Sequence, residues 1–287
     1  VIPARYRSSR FPGKPLADIC GRPMIWWVYQ QASKVQELDK LYVATDDERI
    51  EAVCRQYGMD VVMTSPDHPT GSDRVAEVAS KVEGDLFINI QGDEPLMDPE
   101  IIRQAIRLFD DPEVYFGNLK KKITDPELIA APSTVKVVTD DHMDAMYFSR
   151  NPIPSGVKDT DHVDVFKHVG IYAYKRDFLL KFGAMPQSSL EIAECVEPLR
   201  AMQAGYKICP STWSRSSRRL SVWVWIRPWA CDPLARPFAG AEKGPLWKKI
   251  SNFWIVPCGT AAIWWIPSLA ISSSRGLSKA SPMPLWM

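Results

Sequence analysis

The chain has 287 residues, 46% of them hydrophobic and 24% charged, with a formal net charge of +1. These averages are ordinary for a globular protein, and the length admits one large α/β domain or two smaller ones. No stretch approaches the roughly 20 uninterrupted apolar residues of a membrane span, which excludes a helical membrane protein; the nearest, Ile250–Leu269, is broken by Pro257 and Pro267. The averages conceal a seam. Residues 1–208 hold 25 Lys+Arg against 32 Asp+Glu, whereas residues 209–287 hold 10 against 2 and nine of the 11 Trp. Chain-wide charge therefore says nothing about a partner. The six cysteines lie scattered, with no C-x-x-C pair or metal-ligand spacing, and predict free thiols in a reducing compartment.

The opening Val1-Ile2-Pro3-Ala4-Arg5 has no signal-peptide character and reads as a first strand trimmed at its start. Met24–Val35, with Pro23 ahead of it, is predicted as the first helix. Leu41–Thr45 is a short apolar run ending at Asp46-Asp47, a buried strand before a helix N-terminus. Asp47–Tyr57 follows as a helix, with Gly58 placed to end it. Asp60–Met63 is a strand and Ser72–Val82 a helix. Leu86–Ile90 is the clearest buried strand, and Pro99–Phe109 the next helix. Thr134–Val138, Ala145–Phe148 and Val169–Tyr174 are further strands, and Leu190–Ala204 is a helix stopped by Gly205. This alternation predicts a three-layer α/β domain over residues 1–208, with a mostly parallel sheet covered by helices on both faces.

After Ile208 the pattern fails. Ser214–Arg219 and Val222–Trp225 fit neither a helix face nor a half-buried strand, and nine Pro and twelve Ser accompany the nine Trp. Residues 209–287 are expected to form an irregular, Trp/Ser/Arg/Pro-rich tail with little packed core and exposed Trp.

Two motifs carry chemistry. Arg5–Pro15 follows the first strand and sets Arg5, Arg7, Arg10 and Lys14 among Ser8, Ser9 and Gly13. Arg forks, a Lys point charge and loop N–H groups suit a triphosphate, and ligands of open α/β sheets bind at the strands' C-terminal edge. The string is no Walker A loop, and a solvated basic loop is the weaker alternative reading of it alone. The second motif, Gln91-Gly92-Asp93-Glu94-Pro95, ends the clearest strand. A carboxylate there, beside a Gly that lets a ligand approach, suits Mg²⁺, which takes one or two carboxylates plus phosphate oxygens. Alone, it reads equally as a turn before a helix. Arg5, Arg10, Lys14 and Asp93 should line one cleft if all follow strands of one parallel sheet.

Together the motifs resemble the CMP-Kdo synthetase (3-deoxy-manno-octulosonate cytidylyltransferase) family from Ile2 to Ile208. Arg5–Lys14 is similar to its phosphate loop, Thr45-Asp46-Asp47 to its second strand end, Thr70–Arg74 to its third helix entry and Gln91–Pro95 to its magnesium motif. The first and last of these belong to several sugar nucleotidyltransferases. Tyr147–Pro154, Lys167–Tyr172 and the stretch from Leu190-Glu191 through Glu194 and Glu197 to Arg200 resemble motifs that point to Kdo. Pro198 departs from the family, which usually carries Gln there. Such a Pro puts the sugar contact and the helix register in question.

The resemblance implies a cytoplasmic enzyme that transfers CMP from CTP to the acidic sugar Kdo for lipopolysaccharide biosynthesis, with Mg²⁺ as cofactor. It also implies a homodimer with no nucleic-acid or membrane partner. The sugar's anomeric hydroxyl attacks the α-phosphorus and pyrophosphate leaves in line. Lys14, Arg10 and Asp93 are the expected catalytic residues, and Asp93 the metal ligand. Arg5, Ser8, Arg10, Lys14, Arg74 and Gln91 are expected on the nucleotide, and Arg150, His168, Tyr172 and Glu197 on the sugar. Sialic acid or amino-Kdo are the alternative acceptors.

The family's second magnesium motif, G-V-D-T-P-E-D-L, is absent. Trp has a single codon, so Trp223–Trp229 constrains its gene to TGG GTN TGG ATH CGN CCN TGG, taking a CGN codon for Arg227. Read from the third base, this gives Gly, an aliphatic residue or Met, Asp, a Thr/Ser/Pro position and a set that includes Pro. A frameshift just after Ile208 accounts for the tail; a genuine Trp-rich addition is the alternative, and single-strand nucleic-acid binding by it ranks last. The chain as written is expected to be impaired, or inactive.

Overall fold

The computed structural model describes residues 1–7, 11–155 and 163–212, all within the unit Val1–Trp225. Most of the tail expected to be irregular, and the out-of-frame motif in it, lie outside the described residues.

The chain opens with β1 (Ile2–Ala4), followed by a single helical turn at Lys14–Leu16 and the small hairpin β2 (Asp18–Ile19) and β3 (Arg22–Pro23). Then come α1 (Met24–Ala32), β4 (Val43–Thr45), α2 (Glu48–Gln56), β5 (Val61–Met63), α3 (Gly71–Lys81), β6 (Leu86–Ile90) and α4 (Pro99–Arg107). The second half comprises β7 (Phe116–Ile123), α5 (Pro126–Ala130), β8 (Lys136–Thr139), β9 (Ala145–Ser149), β10 (Val165–Lys175), α6 (Arg176–Ala184), α7 (Ser189–Glu194), α8 (Pro198–Gln203) and β11 (Cys209–Thr212).

The helix starts follow from local chemistry. The Asp47 carboxylate accepts from the Arg49 N–H at 3.0 Å and caps α2, and Gly58 takes φ 65° just past its end. Thr70 and Asp73 form a capping box on α3, each side chain accepting from the other residue's backbone N–H. Asp98 caps α4, whose first residue is Pro99.

The expected α/β architecture is present, but its sheet is mixed. β1, β4 and β5 run parallel. β6 joins them where the Val1 ammonium donates to the Ile88 carbonyl at 2.8 Å and the Ile90 N–H to the Val1 carbonyl at 2.9 Å. β10 is antiparallel to β6, β7 and β8, and β11 closes the edge parallel to β7. The sheet thus runs to Thr212, four residues past the charge seam.

Alternation along the strands divides the core. Ile88 and Ile90 of β6 and Ile171 and Ala173 of β10 pack with α1, α2 and α4, whereas Phe87, Tyr172 and Tyr174 pack with α3, α6 and α8. These are the two covered faces of a three-layer domain.

Six elements went unread in the sequence: β2, β3, β7, α5, α6 and β11. β10 also begins at Val165, ahead of the expected Val169. The single helix expected over Leu190–Ala204 is two, α7 and α8, with Cys195 at φ 52° between them. Pro198 is the physical reason. It cannot donate to the preceding turn and clashes inside a helix, but it is tolerated as the first residue of α8. Cys54, Cys195 and Cys209 carry free thiols, as expected, and Cys20 lies in the left-handed turn between β2 and β3.

Candidate active site

The C-terminal ends of β1 and β6 bring the two chemical motifs together. After β1 the chain loops out and returns, with the Gly13 N–H donating to the Tyr6 carbonyl at 2.8 Å. Gly13 takes φ 72°, and a β-carbon there would meet the Tyr6 ring at 3.0 Å, so the turn needs glycine. Lys14 then starts its helical turn, and its Nζ donates to Asp93 Oδ2 at 2.7 Å. Asp93 follows Gly92, where a β-carbon would come within 2.7 Å of the Pro3 carbonyl oxygen. The glycine therefore lets the β6 end lie against the β1 backbone. Ser8 and Arg10 lie outside the described residues.

Arg5 is exposed beyond β1, and its charge acts on Arg74. Arg74 sits in the first turn of α3, only 3% exposed. Its guanidinium donates to Thr64 Oγ1 at 2.5 Å and pairs with Asp46 Oδ1 at 3.0 Å. Burial pulls its pKa down, the Asp46 carboxylate opposes this, and Arg5 adds to the lowering. Arg74 thus ties the end of β4 to α3 beneath the expected phosphate loop. Gln91 packs its side chain against Gly170 on β10.

Beside this lies the expected sugar-side set. His168 and Tyr172 of β10 stack with ring centroids 5.4 Å apart, and Phe148 meets His168 edge-on at 5.7 Å. His168 Nε2 is buried with no partner among the described residues, and burial, with the Lys167 and Arg150 charges, lowers its pKa to about 3. It is a neutral imidazole at neutral pH. Burial, then the Glu197 and Glu94 carboxylates, push the Tyr172 phenol well above its ordinary value. Glu197 accepts from the Ser72 N–H at 3.0 Å, at the start of α3, and burial raises its pKa. Burial, then neighbouring Asp93, raises Glu94 to about 7, with Lys167 opposing.

Arg150 is engaged differently from a free sugar-carboxylate ligand. It donates to the carbonyls of Glu194 at 2.5 Å, Cys195 at 3.2 Å and Pro132 at 2.9 Å, covering the C-terminal end of α7. Three of its five N–H donors are thereby used, leaving two. With His168 neutral, Arg150 is the one cation of the expected sugar set.

Sequence reasoning missed several supporting groups. The Ser72 hydroxyl lies 2.8 Å from the Tyr174 hydroxyl and accepts from Asn89 at 3.1 Å, linking α3, β10 and β6 under the site. Arg200 of α8 is buried between Asp73 and Glu191, with contacts of 2.5 and 2.7 Å respectively. The period-2 placement of Asn89 and Tyr174 on one face could have signalled the first of these; the second joins segments more than 100 residues apart and left no local signal.

No group of three or more metal-ligating side chains occurs among the described residues. Asp93 does fit a shared site, because Mg²⁺ is commonly held by one or two carboxylates with substrate phosphates. Its carboxylate already takes a cationic partner, Lys14, and remains 53% exposed. No helix among the described residues is long and apolar enough to cross a membrane.

Comparison with known proteins places the chain among cytidylyltransferases. The cytidylyltransferase family pattern matches residues 1–208. The 3-deoxy-manno-octulosonate cytidylyltransferase of Trichlorobacter lovleyi is 47% identical over 219 residues, covering 72% of this chain and 87% of the relative. That of Solibacter usitatus is 49% identical over 209 residues, covering 72% and 83%. A solved structure of CMP:2-keto-3-deoxy-manno-octonic acid synthetase complexed with CTP superposes with a TM-score of 0.70 at 46% identity, covering 75% of this chain and 88% of that one. The chain belongs to the 3-deoxy-manno-octulosonate cytidylyltransferase family.

Proposed function

We propose that this protein transfers CMP from CTP to 3-deoxy-manno-octulosonate (Kdo), releasing pyrophosphate. The observation that carries the proposal is the contact of Lys14 with Asp93 at 2.7 Å, which joins the cationic loop to the acidic strand end. Relatives sharing 46–49% identity, and a neighbour solved with CTP, support the choice of nucleotide and sugar.

Lys14 supplies a point charge to the phosphates of CTP, with Arg5, Ser8 and Arg10 on the same loop. Asp93 would hold Mg²⁺, which commonly takes one or two carboxylates with substrate phosphates. When bound there, Mg²⁺ supplies charge neutralisation on the reacting phosphate. Gln91, at the β6 end, is placed to meet the nucleotide, and Arg74 supports that wall through Asp46.

On the sugar side, Glu197 accepts hydroxyl protons and neutral His168 offers one ring nitrogen as donor or acceptor. Tyr172 presents its ring and hydroxyl, and Arg150 directs its two remaining N–H groups to the carboxylate. The anomeric oxygen then attacks the α-phosphorus as the bond to the pyrophosphate oxygen breaks. Positioning and charge stabilisation do most of the work, each such contact being worth about 10²–10³ in rate. We place this activity in the cytoplasm, where CTP is available, in a homodimer, serving lipopolysaccharide synthesis.

The test is pyrophosphate release from CTP with Mg²⁺ and a panel of acidic sugars. Kdo should be the preferred acceptor. Preference for sialic acid or amino-Kdo would reassign the sugar, and absence of CTP binding would overturn the nucleotide site.

A further inference from the structure

The pairing of β10 with β7 contains an irregularity beside the candidate site. Val169 faces Leu119 and Tyr172 faces Asn118, so Gly170 and Ile171 are extra residues against β7. In a regular strand, residues four apart are separated by about 13 Å. His168 and Tyr172 are four apart, yet their ring centroids lie 5.4 Å apart. The bulge folds the strand back enough to stack them. It also sets Gly170 against the acidic motif: a β-carbon there would lie 3.3 Å from Glu94 Oε1 and 3.4 Å from Gln91 Cγ.

A bulge leaves ladder carbonyls unpaired. Here the fully buried Asn118 side chain takes that place, its Nδ2 donating to the Val169 carbonyl at 2.9 Å and the Ile171 carbonyl at 2.6 Å. The two N–H groups of one amide thus match the carbonyls on either side of Gly170. Asn118 Oδ1 is buried with no partner among the described residues. An amide half of whose capacity goes unused is a poor core filler compared with Leu of similar size. Its donors are what distinguish it from that filler.

We propose that Asn118 is a positioning residue for the sugar side of the site, holding the β10 bulge that stacks His168 on Tyr172 and seats Gly170 against Gln91 and Glu94. The role in sugar binding rests on the function proposed above; the clamp itself does not. Asn118 acts through β10 and makes no contact with substrate.

The experiment uses the full chain with Asn118→Leu, which removes the amide at similar size, and Asn118→Asp, which keeps the shape but replaces donors by acceptors. Leu179→Ala, in the same core but away from the bulge, serves as a destabilised control. The first readout is the proton NMR spectrum of the four histidine rings, with His168 assigned from His168→Gln. In wild type and Leu179→Ala its ring protons should be shielded by the stacked Tyr172. In both Asn118 variants the shielding should be lost. A folded Asn118 variant that keeps the shielded signal overturns the proposal.

The second readout separates sugar from nucleotide. KM for Kdo should rise about tenfold or more in the Asn118 variants while the affinity for Mg²⁺·CTP stays within about twofold. An unchanged KM, or parallel loss of both affinities, contradicts a sugar-side role. If wild-type protein binds CTP but uses no Kdo, the functional reading fails and the ring signal alone decides whether Asn118 sets the His168–Tyr172 stack.

Discussion

Lys14 and Asp93 form an ion pair with side chains 35% and 53% exposed. Pairs so open to water contribute only about 0–1 kcal/mol to stability. Their meaning is therefore chemical, and the two effects separate by experiment. Lys14→Ala should leave the melting temperature nearly unchanged while lowering turnover by about 100-fold or more. Parallel losses of stability and rate would show that the pair holds the fold instead. His168 makes a second residue-scale prediction. Its folded pKa of about 3 lies below the ordinary histidine value near 6.5. Between those values the unfolded chain binds a proton that the folded chain refuses. The stabilising contribution is present in full above about pH 6.5 and is lost as pH falls toward 3. His168→Gln should flatten that acid limb in a series of melting curves; an identical limb would mean that the imidazole is not buried as described. His168 was legible as a site candidate by resemblance, but its neutrality was not, because burial by Phe148 and Tyr172 arises only in the folded sheet.

At the scale of elements, much was legible where local chemistry decides. Asp47, Thr70 and Pro99 announce the starts of α2, α3 and α4, and the apolar run 86–90 announces β6. β7 was not legible, because Asn118 and Lys120 stand at buried positions of Phe116–Ile123 and break the apolar alternation. Their partners come from β10, β8 and the turn that follows, so only the assembled sheet explains them. Pro198 signalled a disturbance whose outcome the structure supplies. Because it is the first residue of α8, Pro198→Gln should change stability by less than about 1 kcal/mol. A loss of about 3 kcal/mol in denaturant unfolding would mean that the break between α7 and α8 depends on the proline's fixed geometry. Arg200 predicts the opposite. It is 2% exposed, and its removal strands Asp73 and Glu191 in the core. Arg200→Met should cost about 3–5 kcal/mol and loosen the joint between α3, α7 and α8. A near-neutral result would show that water or a rearranged α7 satisfies both carboxylates.

At the scale of the whole molecule, the seam in composition at Ile208 falls inside the described fold. Cys209–Thr212 pair with β7, so the described sheet runs a few residues past the charge reversal. The second acidic motif expected after Gly205 is absent from the sequence, and a frameshift after Ile208 would put its codons out of frame across Trp223–Trp229. Misplacing reacting groups by about 1 Å can cost on the order of 100-fold. We expect the chain as written to bind CTP weakly and to turn over Kdo slowly, and a gene with the frame restored after Ile208 to encode a faster enzyme. Equal rates for the two would show that the missing motif does not matter.

The activity proposed for the cleft holding Lys14 and Asp93 is transfer of CMP to Kdo. The most direct measurement is the initial rate of CMP-Kdo formation from CTP and Kdo with Mg²⁺, for the wild-type chain and Asp93→Asn side by side. CMP-Kdo and pyrophosphate should appear in equal amounts from wild type, at a rate about 100-fold or more above that of the variant. Equal rates, or no CMP-Kdo from a folded wild-type protein saturated with both substrates, would contradict it.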